Sequence, residues 1–166
     1  MTVTNLETPR SPKLPEELVA STAFLIKRLG FAAKEQAIAA YERTGLNPYH
    51  HAVLAVLDEG SRETQGAIAD ALGYDRGQLV GLLDELEERG LVERRRDPAD
   101  RRRHIVRLTS EGKRTLAKLR TLARGLEDEF FASLDADERK RLHGLLLRLA
   151  EQHLPLCARR APAATQ

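Results

Sequence analysis

Arg76 and Gln78, set among Gly77 and Gly81, are residue types able to hydrogen-bond base edges. A guanidinium matches the two acceptors of guanine and a carboxamide the donor and acceptor of adenine, each pairing worth roughly 1–3 kcal/mol of discrimination. Asp75, just before them, has the chemistry of a helix N-cap and is counted with them in the DNA-binding set. The two glycines each cost about 1 kcal/mol of helix propensity relative to Ala, and their missing side chains let a backbone approach a partner closely. A second basic set follows, in which Arg94-Arg95-Arg96 and Arg101-Arg102-Arg103 bracket Asp97-Pro98-Ala99-Asp100. Alone, such a run is ordinarily a solvated face. After a helix pair, and split by a turn-rich segment, it reads as a hairpin seeking phosphates or a minor groove. Asp100 stands two residues from Arg102 on one side of the tip and can orient its guanidinium into a narrow minor groove, while Arg101 and Arg103 face phosphates or solvent and Arg94 joins the DNA-contacting set.

The elements that must hold these side chains are legible around them. Ile68-Ala69-x-x-Leu72-Gly73-Tyr74-x-x-x-x-Leu79-x-x-Leu82 is a helix-turn-helix pattern. Ala69 is small enough for two helices to cross, Gly73 can take the positive φ of the sharp turn, and the aliphatic residues fix the crossing. Asp84, Glu85, Glu87 and Glu88 would repel phosphates, so they are expected to turn towards solvent or the wing arginines. Leu91–Arg94 and His104–Leu108 read as two strands of a wing. Upstream, apolar residues at spacings of three and four predict one long amphipathic helix from Pro15 to Gly45, with Gly30 inside it. Asn47-Pro48 starts a short helix that stops at Gly60. Downstream, Thr109 or Ser110 caps a helix striped with Leu116, Leu119, Leu122 and Leu126. Asp135-Ala136-Asp137-Glu138 is a capping box opening a last helix with Leu142, Leu145, Leu146 and Leu149.

The fold class that follows is mainly α with a small β wing: a winged helix-turn-helix over residues 46–109 plus a helical dimerisation layer from 14–45 and 110–155, flanked by tails 1–13 and 156–166. A leucine-rich layer beyond the needs of a small winged domain is expected to pair with a second copy. The chain has 166 residues, 42% of them hydrophobic, enough for one ordinary core. Its 27 Lys and Arg against 25 Asp and Glu leave a net charge of only +2, so clustering rather than bulk charge argues for nucleic acid. The single cysteine, Cys157, excludes an internal disulfide, and the scattered histidines give no metal site. No cofactor is expected. No leader-like start and no run of ~18 apolar residues is present, which points to a cytoplasmic protein without a membrane partner. Phosphate-binding loops, nucleophile motifs and paired catalytic carboxylates are missing, which argues against an enzyme.

Residues 64–112, and more loosely 15–153, resemble the multiple antibiotic resistance regulator (MarR) family of bacterial transcription factors. The resemblance rests on Leu86-Glu87-Glu88-Arg89-Gly90-Leu91-Val92-Glu93-Arg94, on Asp97-Pro98-Ala99-Asp100-Arg101-Arg102, and on Leu108-Thr109-Ser110-Glu111-Gly112. It implies a homodimer with interlocking first and last helices, gripping a pseudo-palindromic operator with the recognition helices in the major groove and the wing arginines in the minor groove. It also implies a repressor released by a small ligand or by oxidation, and it makes Asp100 and Arg102 the family's wing pair. Asp75-Arg76-Gly77-Gln78-Leu79 is similar to the recognition helix of the organic-hydroperoxide-sensing branch, but the first helix lacks that branch's cysteine. For an aromatic or phenolic effector, the resemblance places a cleft lined by polar candidates Lys27, Arg28, Tyr41, Tyr49, His50 and His51. Two alternatives stand beside this reading: a winged-helix protein-interaction module, and a redox-sensing regulator using Cys157.

Overall fold

The computed structural model describes residues 13–60, 64–100, 102 and 104–154. The tails, with Cys157, and the wing residues Arg101 and Arg103 lie outside them. The elements run α1 (Glu16–Val19), α2 (Thr22–Glu42), α3 (Pro48–Asp58), α4 (Gln65–Leu72), α5 (Arg76–Glu88), β1 (Val92–Arg96), β2 (His104–Leu108), α6 (Ser110–Phe130) and α7 (Ala136–His153). They fall into two compact units, one up to Gln36 and one from Ala37 onward.

In the first unit the single opening helix expected from Pro15 is broken in two. The interruption falls at Ala20–Ser21, where the Ser21 hydroxyl accepts the Phe24 N–H at 3.3 Å and opens α2. A serine hydroxyl can replace a helical carbonyl as partner for a nearby N–H, which a reading of apolar spacing alone does not register. Gly30 lies within α2 and interrupts nothing.

The second unit holds the core. Val53 and Leu54 of α3, Ile68 of α4, Leu79, Leu83 and Leu86 of α5, Val106 of β2 and Leu116 and Leu119 of α6 are buried together. Each such aliphatic side chain stabilises the fold by about 1.5–3 kcal/mol. Local chemistry sets the element ends. The Asn47 side chain accepts the His50 N–H while the His50 ring accepts the Asn47 N–H, a reciprocal box that starts α3. Asp135 and Glu138 do the same for α7.

β1 and β2 pair antiparallel, from Val92 opposite Leu108 to Arg96 opposite His104, so the first strand runs two residues past the expected Arg94. An isolated bridge between Thr64 and Ile105 ties the start of α4 to β2. At the hairpin's base the Thr109 hydroxyl donates to the Gly90 carbonyl at 2.7 Å and accepts the Gly112 N–H at 3.0 Å. A Cβ on Gly112 would stand 2.0 Å from the Leu91 carbonyl oxygen, so only glycine lets α6 sit this close to the strand. The Leu-Thr-x-x-Gly signature is therefore the joint between wing and helix.

α7 buries none of its residues, and Leu145, Leu146 and Leu149 are exposed along it. In the first unit, Leu25, Ile26, Leu29 and Phe31 are likewise exposed on α2. Among the described residues no helix is long and apolar enough to cross a membrane.

Candidate nucleic-acid interface

The turn between α4 and α5 is made by Gly73, left-handed at φ 65°, followed by the Tyr74 N–H donating to the Ala69 carbonyl at 3.0 Å. Asp75 then caps α5, its carboxylate accepting the N–H groups of Gly77 at 2.8 Å and Gln78 at 3.2 Å. Asp75, counted from sequence in the DNA-binding set and as an N-cap, spends its carboxylate on the helix's own orphan donors.

α5 packs through Leu79, Leu82, Leu83 and Leu86. At about 100° per residue, Arg76 and Val80 share one flank of the remaining surface, Gly77 and Gly81 form its middle, and Gln78 lies on the far flank, about 200° from Arg76. The near flank opens on a groove of about 630 Å³. Its walls are Arg76 and Val80 of α5, Thr64, Gln65 and Asp70 at and in α4, and Arg102 and His104 of the wing. The structure thus brings Arg76 and Arg102 to one groove and places Gln78, exposed, outside its lining. Thr64, Gln65 and His104 were not singled out from sequence; the N-cap position of Thr64 and the register of His104 at the open end of β2 were the available signals.

Arg94 is also redirected. Its Nε donates to Glu87 at 2.8 Å, its Nη2 reaches Asp84 at 2.5 Å and Glu87 at 2.6 Å, and its backbone N–H donates to Glu87 at 3.1 Å. Hydrogen bonds from Arg94 hold the Glu87 carboxyl below the usual carboxylate range, and Glu87 in turn raises the guanidinium. Arg94 is therefore a latch between the hairpin and α5, and Asp84 and Glu87 face a wing arginine as their charge required. Asp100 accepts the Arg102 N–H at 3.0 Å and Asp97 the Ala99 N–H at 2.8 Å, so both carboxylates shape the loop backbone that presents Arg102.

The effector candidates divide between the units. Lys27 and Arg28 are exposed on α2 in the first. In the second, the Tyr41 hydroxyl meets His51 Nδ1 at 2.6 Å. Burial raises the Tyr41 pKa and lowers that of His51, so both rings favour their neutral forms. Tyr49 packs edge-on to Tyr74 at 5.8 Å. His50 is 1% exposed, its Nδ1 serves the α3 cap and its Nε2 lies 3.1 Å from Glu85 without hydrogen-bond alignment, so its ring links α3 to α5. No group of three or more His, Cys, Asp or Glu side chains among the described residues is placed to hold a metal ion.

A family model described as MarR family matches residues 44–103. A putative transcriptional regulatory protein for the hcr operon of Thauera aromatica is 33% identical over 132 residues, covering 75% of this chain and 80% of the relative. The chain belongs to the MarR family. It is a DNA-binding transcriptional regulator with that family's winged-helix fold. Among solved MarR-like structures, the repressor CouR bound to a 23-mer DNA duplex is 35% identical with a TM-score of 0.75, matching 84% of this chain and 99% of that one. CouR from Rhodococcus jostii RHA1 bound to p-coumaroyl-CoA matches with 27% identity and a TM-score of 0.69, over 84% of this chain and 99% of that one.

Proposed function

We propose that this MarR-family regulator is a cytoplasmic repressor that binds a pseudo-palindromic operator as a homodimer and leaves it on binding a small aromatic acid or its thioester. Residues 46–109 are the DNA-binding part, and 14–45 with 110–155 the dimerisation part. The observation that carries the reading is the shared groove, in which Arg76 from the recognition helix and Arg102 from the wing line one opening. A cation on a helix and another on a hairpin suit two neighbouring grooves of one duplex. The effector class follows from the structural relative bound to p-coumaroyl-CoA and from the partly buried Tyr41–His51 pair, whose aromatic and hydrogen-bonding character suits a phenolic ring.

Operator selection from random duplexes, followed by titration at several salt concentrations, tests this. Arg76→Ala should cost about 1–3 kcal/mol and relax preference at one position per half-site. Arg102→Ala should weaken all sequences alike and reduce the salt slope by about 1. An Arg102→Ala variant with unchanged affinity would remove the wing from the interface, and failure to retain any duplex at low salt would reject the reading whole.

A further inference from the structure

We infer that Val80 is a specificity-determining residue, whose side chain takes the 5-methyl group of a thymine in the major groove. This rests on the DNA-reading role proposed for α5 and adds to it the identity of one base. Val80 is 41% exposed on a helix whose other large aliphatic residues, Leu79, Leu82, Leu83 and Leu86, are buried. As a β-branched residue it is also a poorer helix former than Ala or Leu, so neither the core nor the helix calls for it. It stands one turn after Arg76 and lines the same groove, which Arg102 and His104 close from the wing.

The surface beside it is bare. A Cβ on Gly81 would meet no atom within 4 Å, and Gly81 is not among the glycines with positive φ. The fold gives no reason for glycine there, although it weakens the helix. An approaching base-pair edge supplies the reason: with no side chain at Gly81, it can reach Val80 at van der Waals distance. In the major groove, thymine alone of the four bases presents a methyl group, and an apolar side chain is the complement that recognises it. The cationic neighbours Arg76 and Arg102 favour a polyanion over a second protein surface as the occupant.

Replacing each operator thymine in turn by deoxyuridine removes that methyl and nothing else. With the wild-type chain, one position per half-site should lose about fourfold in affinity, the equivalent of one buried methyl group. Val80→Ala should lose a similar factor on the thymine operator and respond equally to thymine and deoxyuridine at that position, with its melting temperature held or raised. Gly81→Ala should melt higher yet bind more weakly, a combination that loss of folding does not produce. The inference is overturned if every thymine-to-deoxyuridine effect persists unchanged in Val80→Ala, or if Val80→Ala alters self-association and leaves operator affinity intact. Absence of binding by the wild-type chain to any duplex would instead strike the DNA-reading role itself.

Discussion

Protonation at the start of α3 ties a helix cap to pH. His50 fills the place usually taken by Glu or Gln in a capping box, and its Nδ1 can accept the Asn47 N–H only while unprotonated. Burial lowers its pKa, with Arg89 acting in the same direction and Glu85 opposing. His51 is lowered too, by burial and then by Arg120. A histidine depressed in the fold favours the neutral ring, so its contribution is present above the unfolded value of about 6.5 and declines as pH falls from there towards the folded value. The melting temperature should therefore hold above about pH 7 and fall below about pH 6.5. His50→Gln, which can still accept the Asn47 N–H, should flatten part of that decline. An identical slope in a melting series from pH 5 to 8 would separate His50 from the effect. At Arg94, Glu87→Gln removes the charge but keeps the shape. It should cost roughly 1 kcal/mol after solvent screening at a half-exposed carboxylate, visible as a lower urea midpoint. Operator affinity should fall with it as the hairpin loosens from α5.

At the level of elements, the joint at Gly112 is the most sensitive point of the hairpin. Gly112→Ala drives a methyl into the Leu91 carbonyl and should destabilise by about 1–3 kcal/mol, since neither backbone can yield cheaply. Thermal melting should show this, while Gly125→Ala, where a Cβ meets nothing within 4 Å, serves as the neutral or stabilising control on the same helix. Much of this architecture was legible in sequence because it is written in local chemistry. Asn47, Asp75, Thr109 and Asp135 cap the helices they precede, and Gly73 turns the chain where its φ is needed. The break at Ser21 was not legible, because apolar spacing continues across it. Nor were the partners of Arg94, which depend on β1 passing beside α5, or the assignment of groove flanks to Val80 and Gln78. The latter follows from which arc of α5 is buried, and Leu83 widens that arc beyond the Leu79 and Leu82 of the motif.

The whole molecule leaves apolar side chains uncovered in both units, Leu25, Ile26, Leu29 and Phe31 in one and Leu145, Leu146 and Leu149 in the other. Such surface is costly in water, and the proposed homodimer would cover it. Sedimentation equilibrium should find two chains at micromolar concentration, and Leu146→Asp combined with Leu149→Asp should shift the balance towards one. That variant should also lose most of its operator affinity while each winged unit still folds, because a lone copy engages a single half-site. A wild-type protein that sediments as a monomer would exclude the proposed dimer. The seating of Gly112 on Leu91 gives the hairpin the mechanics of a crank. β1 has five residues, so at about 3.3 Å each it forms an arm of about 17 Å. A tilt of only about 5° where α6 meets that arm carries its far end about 1.5 Å, half the length of a hydrogen bond, so a small rotation of a helix is enough to displace the loop that presents Arg102.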